Sequence, residues 1–289
     1  MLWLFAIAVE IILGTIIALR YRVLARNNPD EGLLATAIMY GLGVAPIGIV
    51  YALFFSGQTL VFTASTVAWT IFASILFAIG NVMIYRAYSK MDASLYAIIN
   101  SSKYVIIVIV AAVLLGDTLE PGQLLGASMI LASSVYISAI SRKKQAKNTA
   151  IRYIVLAFVA SAVVAFAQLS ERVAVVAAPM SAYILLSWSL QALLLLVFVA
   201  PQLRQKGFHL SKQLTRNLIV MGILRGISGV CVVYAVAHTQ NVSLVFSLIA
   251  TMVVTISIAS YIFLGERSFA KSRFMAAISA TLGVILVIT

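Results

Sequence analysis

Three ionisable side chains stand where charge is costly. Glu10, Lys103 and Arg225 are the ninth, eleventh and twelfth residues of apolar runs about 20 residues long. At the middle of a bilayer each opposes insertion by about 2.5–3.5 kcal/mol, so such groups face one another or a cavity and mark a functional site by default. Lys103 has company. Tyr96, Asn100, Lys103 and Tyr104 follow i, i+4, i+7, i+8 spacing and share one face of a helix. An ammonium flanked by two phenols and an amide could hold a carboxylate or phosphate while the rings cover an apolar body. The alternative is a lysine that snorkels to the interface, but eight or more residues separate it from either end of its run, at 1.5 Å each. Arg225 lies among Gly222, Gly226 and Gly229, which allow another backbone close or leave room for a substrate. Its guanidinium suits a carboxylate held in two places, either Glu10 or cargo. Glu10 has Ala6 and Gly14 four residues to either side. Unpaired it is a candidate proton carrier; paired with Arg225 or Lys103 it is a fixed charge. Two central cations against one central acid favour cargo with a negative group.

Other chemistries lack their parts. The single cysteine, Cys231, lies inside an apolar run, so neither a disulfide framework nor a thiolate metal site is expected. His209 and His238 sit at or near loops without paired ligands. An intramembrane enzyme would need a nucleophile with a base, a carboxylate pair or a metal cluster at one depth. No cofactor or ATP-binding motif is indicated, so energy must come from an ion gradient or from the cargo's own gradient, with proton coupling open. Asn81, Gln168 and Gln191 read equally well as interhelical hydrogen-bonding groups, and Gly122 with Gly126, like Ser243, Ser247, Thr251 and Thr255, as packing faces.

The elements that must position these groups follow from composition. Of 289 residues 63% are apolar and 10% charged, and mean hydropathy is +1.10; soluble domains run at about 45–50% and about 25%. The bilayer has to be the solvent. Ten runs are long enough to cross it: 2–21, 33–55, 64–85, 93–115, 121–140, 151–170, 180–200, 214–237, 242–264 and 269–288. Continuous apolar runs exclude a membrane barrel, whose strands alternate. The net charge of +12 would suggest an acidic partner such as nucleic acid in a soluble protein. Here seventeen of the twenty basic residues lie in the connections after the first, third, fifth, seventh and ninth runs or at the run ends that border them. The positive-inside rule then predicts a multi-pass inner or plasma membrane protein with both termini outside and residues 141–149 in the cytoplasm. No cleavable leader is visible: the first run starts at Leu2 with its arginines behind it.

Shifting the chain by 149 residues lays the second half on the first. Tyr85 meets Tyr234, Ser94-Leu95 meets Ser243-Leu244, and Leu115-Gly116-Asp117 meets Leu264-Gly265-Glu266. Five runs per half is an odd number, so the halves enter the membrane in opposite directions, a construction of secondary transporters whose substrate site lies where the halves meet. The expected organisation is a first repeat over 1–140, a basic linker over 141–150 and a second repeat over 151–289.

Two five-helix halves, each with a Leu-Gly-acid step before a fifth helix rich in small residues, resemble the EamA type of the drug/metabolite transporter superfamily. The residues that carry this are Leu115-Gly116-Asp117-Thr118-Leu119 with Gly126, and Leu264-Gly265-Glu266 with Ala276, Ala277 and Gly283. The first copy has Asp where the family more often has Glu, and Met275 stands where the repeat would place Gly126 again. The resemblance implies ten helices, alternating access and a central cavity shared by both halves. It also implies cytoplasmic termini, against the charge pattern. Asp117 and Glu266 are expected to be turn and helix-start acids suited to the macrodipole. The resulting expectation is a transporter, not an enzyme, of a small polar or amphoteric metabolite such as an amino acid or organic anion. Lys103, Tyr96, Asn100, Tyr104 and Arg225 are its substrate-contact candidates, and Glu10 its coupling or charge-pair residue. An organic-amine carrier centred on Glu10 and a non-transporting scaffold are the rivals; the assembly would be a monomer or homodimer.

Overall fold

The computed structural model describes residues 2–115, 121–142, 147–176, 179–207, 210–238, 248–249, 251–267 and 269–288. Every one of the ten apolar runs is helical within those residues. The helices are α1 (Leu2–Asn27); a segmented second span made of α2 (Gly32–Met39) and α3 (Ala45–Val50); α4 (Ala64–Lys90); a broken fourth span, α5 (Ala93–Asn100) and α6 (Ser102–Leu115); α7 (Pro121–Arg142); α8 (Lys147–Val176); α9 (Met180–Lys206); α10 (Lys212–Ala237); α11 (Met252–Phe263); and α12 (Ala270–Ile288). Among the described residues six continuous helical stretches are long and apolar enough to cross a bilayer, and Pro121–Ile137 and Met252–Phe263 are shorter apolar helices. This is an all-helical membrane fold.

Local chemistry sets the ends. The Thr63 side chain accepts from the Thr66 N–H to open α4, and Ser211 does the same from Leu214 for α10. The sequence reading ended the sixth span at residue 170; α8 runs on to Val176. The single face expected to carry Tyr96, Asn100, Lys103 and Tyr104 is interrupted, because the helix turns at Ser101. There the Ser101 hydroxyl bonds the Ile98 carbonyl (2.6 Å), and Ser134 reaches the same carbonyl from α7 (3.2 Å). Serine hydroxyls that compete for backbone carbonyls are a known way to break a helix.

Packing follows the internal repeat. α4 lies against α8 as α10 lies against α1; α6 meets α8 as α11 meets α1; and α7 meets α12, the two equivalent fifth helices. Each half thus packs largely on the other, as two inverted five-helix repeats require. Large apolar side chains on the outside, among them Phe5 and Ile12 on α1 and Leu193, Leu196 and Val197 on α9, remain exposed. Lipid covers such a surface.

Glycines let the halves come close. A Cβ on Gly43 would fall 2.5 Å from the Gly222 Cα, and one on Gly222 would strike the Met39 carbonyl oxygen. Gly226 is filled against Ile47, so the Gly222 and Gly226 positions serve backbone approach and leave no room for cargo there. Gly126 and Gly283 form the equivalent close contact between α7 and α12, whereas Gly122 has nothing within 4 Å and is not part of a packing face. Gly222→Ala should therefore cost about 1–3 kcal/mol through overpacking and lower the melting midpoint of the solubilised protein. Gly41→Ala, with nothing within 4 Å of its added carbon, is the control expected to leave the midpoint unchanged.

Candidate functional site

A cavity of about 340 Å³ lies between the halves, and all six sequence-derived candidates line it: Glu10, Tyr96, Asn100, Lys103, Tyr104 and Arg225. Arg225 comes from the middle of α10. Its Nε donates to the Tyr40 hydroxyl (3.0 Å) and one Nη to the Asn81 Oδ1 (3.2 Å). The Tyr40 ring stands 6.0 Å from the guanidinium carbon. Of the two partners open to Arg225, Glu10 is not within ion-pair distance among the described residues: it accepts from the Ser228 hydroxyl, one turn along α10. Lys103 holds its amine 5.0 Å from the centre of the Tyr104 ring. Tyr96 bonds Asn100 (3.5 Å) and packs on Tyr88, ring centres 4.4 Å apart. On the cavity floor the buried Tyr21 hydroxyl has no hydrogen-bond partner among the described residues.

One charged lining residue escaped the sequence reading. Glu171, like Tyr183, also lines the cavity. It was placed in a connection because the apolar run stops at residue 170. The signal was present, since eight more helix-compatible residues follow before Pro179. With Glu171 counted, the cavity holds two cations and two acids, and the expected excess of positive charge disappears.

The end of the bundle that carries the basic loops is closed. Tyr21, Tyr85 and Tyr88 interlock there, with Tyr21 ring centres 5.7 and 5.5 Å from the other two. Beyond them Arg22 on α1 donates to the Tyr88 carbonyl (2.7 Å), Asp92 (3.3 Å) and Glu266 (3.3 Å). Arg273 on α12 pairs with Asp92 and reaches the Ser94 hydroxyl (3.4 Å). Glu266 accepts the Ala93 backbone N–H with both oxygens (3.2 and 3.0 Å). The correction here is one of role: Glu266 caps α5 of the other half, not the start of its own neighbouring helix. Arg22 and Asp92 belong to the first half and Glu266 and Arg273 to the second, so the cluster ties the halves together. Among the described residues no ion pair joins the halves at the opposite end. Asp117 and His209, together with Ser243 and Ser247, lie outside the described residues.

Burial pushes the Glu266 carboxyl up to about 7, with the Asp92 charge adding to it against the pull of Arg22, the Ala93 N–H and Arg273. A carboxyl raised in the closed state contributes most below its solvated value near 4.5 and loses that contribution as pH rises through about 7. The wild-type melting midpoint should fall between pH 6 and pH 8 relative to Glu266→Gln, which removes the titration; parallel curves would contradict this.

The EamA-like transporter family profile matches residues 2–139, from the start of α1 to within three residues of the end of α7. The first half of the chain is thus EamA-like, and the chain is similar to that family. It is accordingly a membrane transporter of the drug/metabolite transporter superfamily. A crystal structure at 16% identity superposes with a TM-score of 0.67 over 99% of this EamA-like chain and 95% of the other, which shows a shared fold across both halves. No curated protein sequence matches the chain.

Proposed function

We propose that this EamA-like protein is a secondary transporter, an exporter or facilitator, of a small polar or amphoteric metabolite such as an amino acid or organic anion. The cargo sits in the central cavity, and the two halves rock about it by alternating access, with the basic end in the cytoplasm. One observation carries the reading. Among the described residues, Arg225 faces the cavity with only neutral acceptors, Tyr40 and Asn81, in contact. A guanidinium out of water without a carboxylate is a strong demand for one, and Tyr21 supplies an unused donor in the same cavity. Tyr96, Tyr104 and Trp188 give the walls aromatic surface for an apolar body. The closed basic end supports a state whose access lies on the other side.

The test is uptake by the purified protein in liposomes from a metabolite panel that includes amino acids, organic acids and amines. Saturable uptake of carboxylate-bearing solutes is expected. Uptake confined to amines would favour a carrier centred on Glu10, and no saturable uptake of any class would favour a scaffold.

A further inference from the structure

A second hollow opens on the lipid-facing side of the bundle, apart from the central cavity. It measures about 280 Å³ and lies where α1, α10 and the end of α11 meet at the basic end. Leu19, Val23, Leu24, Phe263 and Leu264 give it apolar walls, and among the described residues that line it Arg20 and Asn217 are the polar ones. α1 comes from the first half and α10 and α11 from the second, so an occupant is held by both.

Lipid tails cover every outward face, but tails need no charge. Arg20 is exposed, and its guanidinium has no ion pair or hydrogen bond among the described residues; the Asn217 amide has none either. Arg22, two residues on, is by contrast fully engaged in the closed end. The fold does not require the two free groups, since the 149-residue shift lays Arg20 on Leu169 and Asn217 on Ala68. Depth identifies what Arg20 meets. A helix crosses the hydrocarbon layer in about 20 residues, and α1 begins at Leu2, so Arg20 reaches the level at which acyl chains give way to phosphates. A guanidinium takes a phosphate in two places, and an amide adds a further hydrogen bond. Charge at the mouth then selects among phospholipids. Arg26 on α1 and Lys212 and Arg216 on α10 are exposed nearer the basic end. α10 carries no acid, and α1 only the distant Glu10. A headgroup ammonium would meet those three cations; a headgroup without one meets attraction alone. Basic pockets between membrane helices hold anionic lipids on this principle.

We propose that this groove is a binding site for an anionic phospholipid, with the phosphate on Arg20 and Asn217 and the upper part of one acyl chain along the apolar walls. The lipid bridges the two halves on the outside of the joint that Arg22 and Glu266 close from within. The site is independent of the cavity and of the cargo, so its failure leaves the transport reading untouched.

The experiment is thermal stabilisation of the delipidated, full-length protein in neutral detergent, titrated with dioleoylphosphatidylglycerol, dioleoylphosphatidylcholine or inorganic phosphate. In the wild type the phosphatidylglycerol should act at a ten-fold or lower concentration than the phosphatidylcholine, and inorganic phosphate at the same concentrations should not stabilise. Arg20→Gln should bring the two lipids to within two-fold. Val23→Trp, which fills the groove and keeps the guanidinium, should weaken phosphatidylglycerol about ten-fold. Lys90→Gln removes an exposed cation from the same end on α4, away from the groove, and should keep the full preference. The wild-type comparison needs no variant, and either groove variant serves if the other does not fold. The inference is overturned if the wild type treats the two lipids alike, or if inorganic phosphate matches the lipid. It is equally overturned if the folded groove variants keep wild-type affinity, or if Lys90→Gln loses as much as Arg20→Gln, which would mark a diffuse attraction.

Discussion

Arg225→Met should weaken binding of carboxylate cargo about 100-fold or more. The guanidinium is the cavity's one cation positioned by two neutral acceptors, Tyr40 and Asn81, and a charge-assisted pair lost in a dry site costs about 3–5 kcal/mol when one partner is removed. Arg225→Lys is not a mild change. An ammonium cannot reproduce the planar fork that holds Tyr40 on Nε and Asn81 on Nη2 while presenting its remaining N–H groups to cargo. It should recover less than a tenth of the lost affinity. The fold should survive both substitutions, because Arg225 has no contact ion pair to break. Titration of the purified variants with the carboxylates that stabilise the wild type is the check. Equal affinity in wild type and Arg225→Met would remove the anion site from the account.

Asp92→Asn should open the basic end. Asp92 receives Arg22 and Arg273, whose side chains are only 11% and 6% exposed. Neutralising it leaves Arg273 without an acid and Arg22 with Glu266 alone. That penalty belongs to the closed state and is relieved when water reaches the guanidiniums. At about 3 kcal/mol, allowing for the partial exposure of Asp92, the equilibrium shifts by a factor of about 100. A cysteine placed at Ala18, on the cavity wall behind the tyrosine layer, reports it in a Cys231→Ser background. An impermeant thiol reagent added at the basic end should label it at least ten-fold faster in Asp92→Asn than in the wild-type background. Unchanged labelling would show that the tyrosines alone close this end.

What the sequence disclosed, and what it hid, follows from the cost of charge in lipid. Glu10, Lys103 and Arg225 announced themselves because apolar neighbours on both sides leave no route to water, and the structure gathers them at one cavity. The ten spans were legible for the same reason. Glu171 was not, because an apolar run is a poor ruler for a helix that extends six residues past it. Arg22, Asp92, Glu266 and Arg273 were read as charges that set orientation. Nothing in their separate positions says that they converge, since that needs the halves to be packed. Glu10 is not the partner of Arg225 because of competition: Tyr40, Asn81 and Ser228 supply nearer partners, and such polar groups reach one another only in the folded bundle.

The account's central claim, a cavity that loads cargo through Arg225 and exposes it to one side at a time, is tested most directly by exchange across liposomes. Vesicles that contain the purified protein and an unlabelled carboxylate solute are diluted into the labelled form. Alternating access predicts transient accumulation of label above equilibrium, faster with solute preloaded inside than without, and absent in Arg225→Met. Flux that is linear with concentration, indifferent to preloading and equal in the variant would contradict it.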